Sequence, residues 1–136
     1  MISAKRLTIY ADGAAVPNPG PAGIGVVVVD ETGKVVTVVS TAIGRTTNNR
    51  AEFLALIAGL KEALRLGAER VDLKLDSQLI VRQLKGEYRS KELKPLHKQT
   101  LQLLRKFKSY SIEHIPRGQN KAADALSHRA LRKANN

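Results

Sequence analysis

Residues 24–43 read IGVVVVDETGKVVTVVSTAI, and this stretch limits the possible folds more than any other in the chain. Two β-branched runs flank the turn-forming DETGK, where Gly33 can supply the positive φ that a tight turn needs. The pattern predicts an antiparallel hairpin with strands at about 23–30 and 34–43. Upstream, RLTIYADG at 6–13 is another β-rich run, ended by Asp-Gly and followed by AAVPNPGPAG, whose Pro, Gly and Asn content reads as a loop. From Ala51 the period changes. Phe53, Leu54, Leu56, Ile57, Leu60, Ala63 and Leu64 recur at helical spacing, and Gly67 stops the pattern. VDLKLD at 71–76 returns to a strand, and SQLIVRQLKG to a helix capped by Asp76 or Ser77. PLHKQTLQLLRKF then predicts a third helix, SYSIEHIP a fifth strand ended by Pro116, and NKAADALSHRALRKA a C-terminal helix. The order β-β-β-α-β-α-α-β-α specifies an α/β fold with a five-stranded mixed sheet, because strand–helix–strand crossovers put parallel neighbours beside an antiparallel start.

A chain of 136 residues can bury its own core, so one domain over 1–136 is expected. The absence of cysteine excludes disulfides and thiolate metal sites, leaving oxygen or imidazole ligands. The longest apolar run, IGVVVV, is far short of the roughly 18 residues that span a membrane, and the N-terminus has no basic-then-apolar signal pattern. The expectation is a soluble, cytoplasmic protein with no membrane partner. The 23 Lys and Arg against 12 Asp and Glu give a net charge of +11, which points to a polyanionic partner, nucleic acid first. A basic helix lying on a membrane would carry bulky Trp or Phe, and here there is no Trp and there are only two Phe.

Most acidic residues fall where solvated charges normally fall: Asp30 and Glu31 in the hairpin turn, Glu62 and Glu69 on or after the long helix, Glu87 and Glu92 in a polar loop. Asp12, Glu52, Asp76 and Asp124 do not. Each has a local explanation: Asp12 opens an Asp-Gly turn, Glu52 completes a capping box with Asn49 as N-cap, Asp76 caps a helix, and Asp124 favours a helix's positive end. Those explanations do not predict that Asp12 and Asp76 end strands at the carboxyl edge, where open α/β sheets bind ligands, while the other two ride helices able to pack beside it. Four converging carboxylates repel one another unless a cation compensates, and oxygen ligands without thiolate suit Mg²⁺ or Mn²⁺. A basic protein with such a site suggests phosphodiester hydrolysis with two metal ions.

Four segments, in order and covering nearly the whole chain, resemble the type 1 ribonuclease H family (ribonuclease HI): YADGAAVPNPGPAGIG, TTNNRAEFLA, LDSQLIVRQL and NKAADALSHRAL. The resemblance implies the ribonuclease H-like fold and endonucleolytic cleavage of the RNA strand of RNA–DNA hybrids, leaving 5′-phosphate and 3′-hydroxyl ends. It implies that Asp12, Glu52, Asp76 and Asp124 are the catalytic, metal-binding carboxylates, with two Mg²⁺ or Mn²⁺ ions per site. It also implies that Gly13 and Asn48, with Ser77 nearby, meet RNA 2′-hydroxyls, and that Arg45 and Thr47 hold a phosphate of the DNA strand. Double-stranded RNA remains a second candidate substrate, and a monomer is the expected state. A catalytically silent binding module is the alternative from another class, and the presence of all four acids speaks against it.

The chain departs from the best-studied bacterial pattern twice. The loop that carries a histidine there is the short HIPRGQN here; Arg117, rather than His114, is the expected functional substitute. The Trp-rich basic protrusion is replaced by KGEYRSKELKPLHK, which offers Lys85, Tyr88, Arg89, Lys91, Lys94 and Lys98 to a duplex backbone.

Overall fold

In the computed structural model, which describes residues 6–87 and 89–134, the hairpin forms as the sequence predicts and sets the frame for the rest. Strands β1 (Arg6–Ala15), β2 (Gly20–Val29) and β3 (Val35–Thr46) run antiparallel in turn, with Gly33 at φ +86° in the β2–β3 turn. Helix α1 (Asn48–Arg65) crosses to β4 (Arg70–Leu75), which pairs parallel with β1. Helices α2 (Gln78–Leu84) and α3 (Lys94–Leu104) lead to β5 (Ser109–His114), parallel to β4. A single 3-10 turn, Arg117–Gln119, precedes α4 (Lys121–Ala134). The five-stranded sheet has the order β3-β2-β1-β4-β5.

Alternation along the strands sends Leu7, Ile9, Val26, Val28, Val71 and Leu73 to one face, where they pack with Phe53, Leu56 and Leu60 of α1 and with Ile80 and Leu104 from the next two helices. Helix α4 covers part of the opposite face, across β2. Glycines let the helix backbones touch the sheet. A Cβ at Gly13 would overlap the Ala51 carbonyl of α1 and stand 2.6 Å from Glu52 N. A Cβ at Gly25 would overlap the Ala123 carbonyl of α4 and stand 2.6 Å from Ser127 N. Gly25 is the ladder partner of Asp12, so the two close approaches meet at one place in the sheet.

Three local expectations are corrected, and one left open is decided. β1 does not end at Asp12 but continues to Ala15, because residues 13–15 pair with 22–24 and the Val16 N–H donates to the Pro21 carbonyl at 3.0 Å; the loop shrinks to residues 16–19. Helix α1 starts earlier than Ala51, and its N-cap is Thr47, whose hydroxyl accepts from Arg50 N at 3.2 Å, not Asn49. Glu52 therefore sits beyond the first turn and makes no capping box. Of the two expected caps for α2, it is Ser77 that serves, accepting from Ile80 N at 3.3 Å. Asp72 is a further acid away from solvent, 5 % exposed on the sheet face opposite the main core, where it accepts from Arg6 Nε at 2.7 Å, Arg70 Nη2 at 3.0 Å and Ser111 Oγ at 2.5 Å. Tyr88 lies outside the described residues.

If the Gly25 contact seats α4, Gly25→Ala should destabilise the protein by about 1–3 kcal/mol, the usual range for overfilling a packed interface. Urea unfolding measures this, and an unchanged midpoint would show that α4 can retreat without loss.

Candidate active site

Ala11 and Leu75 are the last partners in the parallel β1–β4 ladder, so Asp12 and Asp76 are each the next residue along and stand side by side. The Gly13 contact brings α1 against this edge. Glu52 then reaches the Gly13 N–H, which donates to its Oε1 at 2.5 Å. The outcome is a cluster from three elements: Asp12, Glu52 and Asp76 each offer an oxygen within 4.8 Å of the other two. Asp124, from the first turn of α4, is outside that trio but hydrogen-bonds Asp12 and lines the same cleft, of about 320 Å³.

These carboxyls are in electrostatic conflict. Burial pushes Asp12 up from 3.8 to about 6; Asp124 and Asp76 add to the rise, and a hydrogen bond with Glu52 opposes it. Burial, and then the neighbouring Asp12, pushes Glu52 well above the usual carboxylate range, against the pull of the Gly13 N–H. Both shifts favour the protonated form, so without a cation the pair relieves its repulsion by retaining a proton. Asp72 shows the opposite outcome in the same sheet: burial raises it, but hydrogen bonds from Ser111, Arg6 and Arg70 outweigh that and hold it below the usual range. Asp12 and Glu52 have no cationic side chain among the causes of their shifts. A set of hard oxygen donors this close together fits a divalent cation such as Mg²⁺ or Mn²⁺.

Comparison with known proteins agrees with this geometry. A family model described as reverse transcriptase-like matches residues 10–130. The ribonuclease HI of Halobacterium salinarum is 42 % identical over 128 residues, which cover 93 % of this chain and 64 % of that one. The crystal structure of RNase H1 from the same organism superposes with a TM-score of 0.92, covering 94 % of this chain and 98 % of the solved one. The chain belongs to the ribonuclease HI family. Another relative, the bifunctional protein Rv2228c of Mycobacterium tuberculosis, is 40 % identical over 129 residues that make up 35 % of its length. The chain thus spans about two thirds of the halobacterial protein and about a third of the mycobacterial one. LC11-RNase H1, solved in complex with an RNA/DNA hybrid, is 39 % identical, with a TM-score of 0.90 over 96 % of this chain and 99 % of that one.

Of the other residues that the family resemblance singled out, Gly13, Asn48, Ser77 and Arg117 line the cleft. Arg45 is exposed on β3 and Thr47 caps α1; neither lines it. His114 is exposed on β5 and also lies outside it. The structure adds His128, one helical turn beyond Asp124, with Nδ1 3.3 Å from Asp124 Oδ1 and 2.9 Å from the Asp124 carbonyl. The i,i+4 spacing of Asp124 and His128 was the available signal. Asn49 lines the cleft as well, released from the capping role expected of it. Asn120 and Ser127 are buried beside the carboxylates; the sequence marked Asn120 only as the start of the NKAADALSHRAL resemblance and gave no sign of Ser127.

A carboxyl whose folded-state pKa lies above its unfolded value destabilises the fold once ionised, so stability is lost as pH rises from about 4 through about 6. Metal-free Asp12→Asn should therefore be more stable than the parent at pH 8, by about 1–3 kcal/mol, with the gap closing at pH 4. Thermal unfolding in EDTA at the two pH values checks this. A variant no more stable than the parent at pH 8 would mean that the cluster carries no such conflict.

Proposed function

We propose that this ribonuclease HI family member is an endonuclease that hydrolyses the RNA strand of RNA–DNA hybrids, leaving 5′-phosphate and 3′-hydroxyl ends. The observation that carries the reading is the convergence of Asp12, Glu52 and Asp76 within 4.8 Å in an open cleft of a chain with net charge +11. The hybrid bound by LC11-RNase H1 supports the choice of substrate. Asp12, Glu52, Asp76 and Asp124 would hold two Mg²⁺ or Mn²⁺ ions, which when bound lower the pKa of a water and stabilise the leaving oxygen.

The chain's own groups are suited to positioning the RNA strand. Asn48 Oδ1 already accepts from Ala15 N at 2.6 Å, which leaves its amide nitrogen, without a partner among the described residues, to donate to a ribose hydroxyl. Ser77 Oγ accepts from Ile80 N and keeps its proton for the same purpose. A 2′-hydroxyl is what tells RNA from DNA, so donors at the cleft rim favour the RNA strand. Arg117 lines the cleft, as does His128 beside Asp124, and both can approach the phosphates of that strand. Arg45 and Thr47 remain available to the DNA strand outside the cleft, Thr47 through a hydroxyl proton that capping does not use. Residues 82–108 hold nine Lys or Arg against two Glu and supply a basic surface for the duplex backbone.

Labelled hybrid, double-stranded RNA and double-stranded DNA, each incubated with Mg²⁺ or Mn²⁺, test the reading directly. Hybrid should be cut in its RNA strand and double-stranded DNA left intact; cutting of double-stranded RNA would widen the substrate class. Asp12→Asn and Glu52→Gln should each lower turnover by more than about 100-fold while hybrid binding persists, since each removes a ligand and little volume. Undiminished turnover in either variant, or cleavage surviving exhaustive chelation, would refute the assignment.

A further inference from the structure

Two polar side chains from the α4 end of the chain are shut away from water directly beneath the carboxylates. Ser127 is 0 % exposed and Asn120 1 %. Ser127 Oγ lies 3.2 Å from Asp12 Oδ2 and 2.8 Å from the Asp124 carbonyl. Asn120 Nδ2 donates to the Ala11 carbonyl at 3.0 Å and to Asp76 Oδ2 at 3.3 Å. We propose that Asn120 and Ser127 are positioning residues that hold Asp76 and Asp12 in the orientation that lets their oxygens converge. The proposal rests on the metal-dependent hydrolase reading above.

The spacing is that of a single helix face. Asn120, Asp124 and Ser127 are separated by four and then three residues, and the Asp124 N–H donates to the Asn120 carbonyl at 3.1 Å, which continues the helical pattern back to Asn120. One face of one helix thus supplies a carboxylate to the cleft and a partner to each strand-borne acid. The Gly25 contact makes this possible: it seats the α4 backbone on β2 beside Asp12, close enough for a side chain as short as serine to reach.

Hydrogen-bond chemistry assigns the orientations. Turning the Asn120 amide over would set its oxygen against the Ala11 carbonyl and the Asp76 carboxylate, so the nitrogen must face them, and its two protons match those two acceptors. Ala11 is the ladder partner of Leu75, so Asn120 ties together the ends of the two strands that carry Asp12 and Asp76. Ser127 has one proton and two oxygen acceptors, and His128 Nδ1 also lies 3.4 Å from its Oγ. His128 Nδ1, 2.9 Å from the Asp124 carbonyl, can give that carbonyl a donor and release the serine proton to Asp12. A group that only filled space at these positions would need none of this.

The test measures Mn²⁺ uptake as the concentration-dependent rise in melting temperature of substrate-free protein, alongside the Mg²⁺ dependence of hybrid cleavage. Ser127→Ala removes one oxygen and should leave the metal-free melting temperature nearly unchanged. It should weaken apparent Mn²⁺ affinity about 10-fold and raise the Mg²⁺ concentration for half-maximal rate by a similar factor, as loss of a ligand's supporting partner does. Asn120→Ala, scored as its Mn²⁺-induced shift from its own metal-free value, should lose at least as much; if that variant fails to fold, Ser127→Ala decides. A parent that responds to Mn²⁺ and cuts hybrid, with Ser127→Ala indistinguishable from it, overturns the positioning role alone. A parent that does neither overturns the hydrolase reading, and this one with it.

Discussion

Asp12 sits between two backbone contacts that leave no room for a side chain. On one sheet face, Gly13 admits the start of α1 until a Cβ there would overlap Ala51; on the other, Gly25, paired with Asp12 across the ladder, admits α4 until a Cβ would overlap Ala123. Helices normally pack on a sheet through interdigitating side chains, and here they approach by backbone at one level of the sheet. That closeness brings Glu52 from one helix and Asp124 from the other to a strand residue whose other neighbour, Asp76, comes from the adjacent parallel strand. Four elements meet at one point because two glycines stand beside one aspartate.

The same packing makes the site a strained part of an otherwise well-compensated molecule. Asp72 and Asp12 are about equally hidden, at 5 % and 7 % exposure, and both point from the sheet face opposite the main core. Asp72 is surrounded by donors, two of them guanidinium groups, and is held ionised. Asp12 faces carboxyls and one hydroxyl, and is pushed toward its protonated form. Surface exposure alone therefore does not separate a structural acid from a site acid here; how deeply each is packed and the charge of its neighbours do. Buried acids with raised pKa and no cationic partner mark where the fold gives up stability for chemistry.

That distinction also explains what was legible in the sequence. The element order and the β2–β3 hairpin could be read because β-branched runs and helical periodicity are local patterns. The four acids could be read because their positions in those patterns fell at the same sheet edge. The N-cap of α1 could not: in TTNNR, Thr47, Asn48 and Asn49 all have capping chemistry, and the choice depends on where β3 releases the chain. The extension of β1 past Asp-Gly was hidden because AAVPNPGPAG has loop composition, while its small residues are what allow the strands to continue pairing there. Asp72 was hidden because its partners, Arg6 and Ser111, come from β1 and β5, far away in sequence. Ser127 was hidden for the same reason, since a serine in a helical stretch says nothing about a carboxylate on another strand; Asn120 stood in the NKAADALSHRAL resemblance, but nothing there tied it to Asp76.

On the hydrolase reading, the cleft sets a condition on its own substrate. The three-carboxylate cluster lies in it, His128 stands beside Asp124, and Arg117, Asn48 and Ser77 line it as well. A phosphodiester approaching that cluster meets anionic or proton-sharing acids, and like charge at such separation is costly. The basic surface outside the cleft can attract a hybrid but cannot neutralise the cluster from a distance, because salt screens exposed charges beyond about 8–10 Å. A divalent cation held by Asp12, Glu52 and Asp76 would remove the repulsion, and a bound phosphate would add to its oxygen ligands. Each then raises the affinity of the other by the same factor, as linkage requires. The surface charge governs how the hybrid arrives, and the carboxylates govern whether its backbone can settle into the cleft.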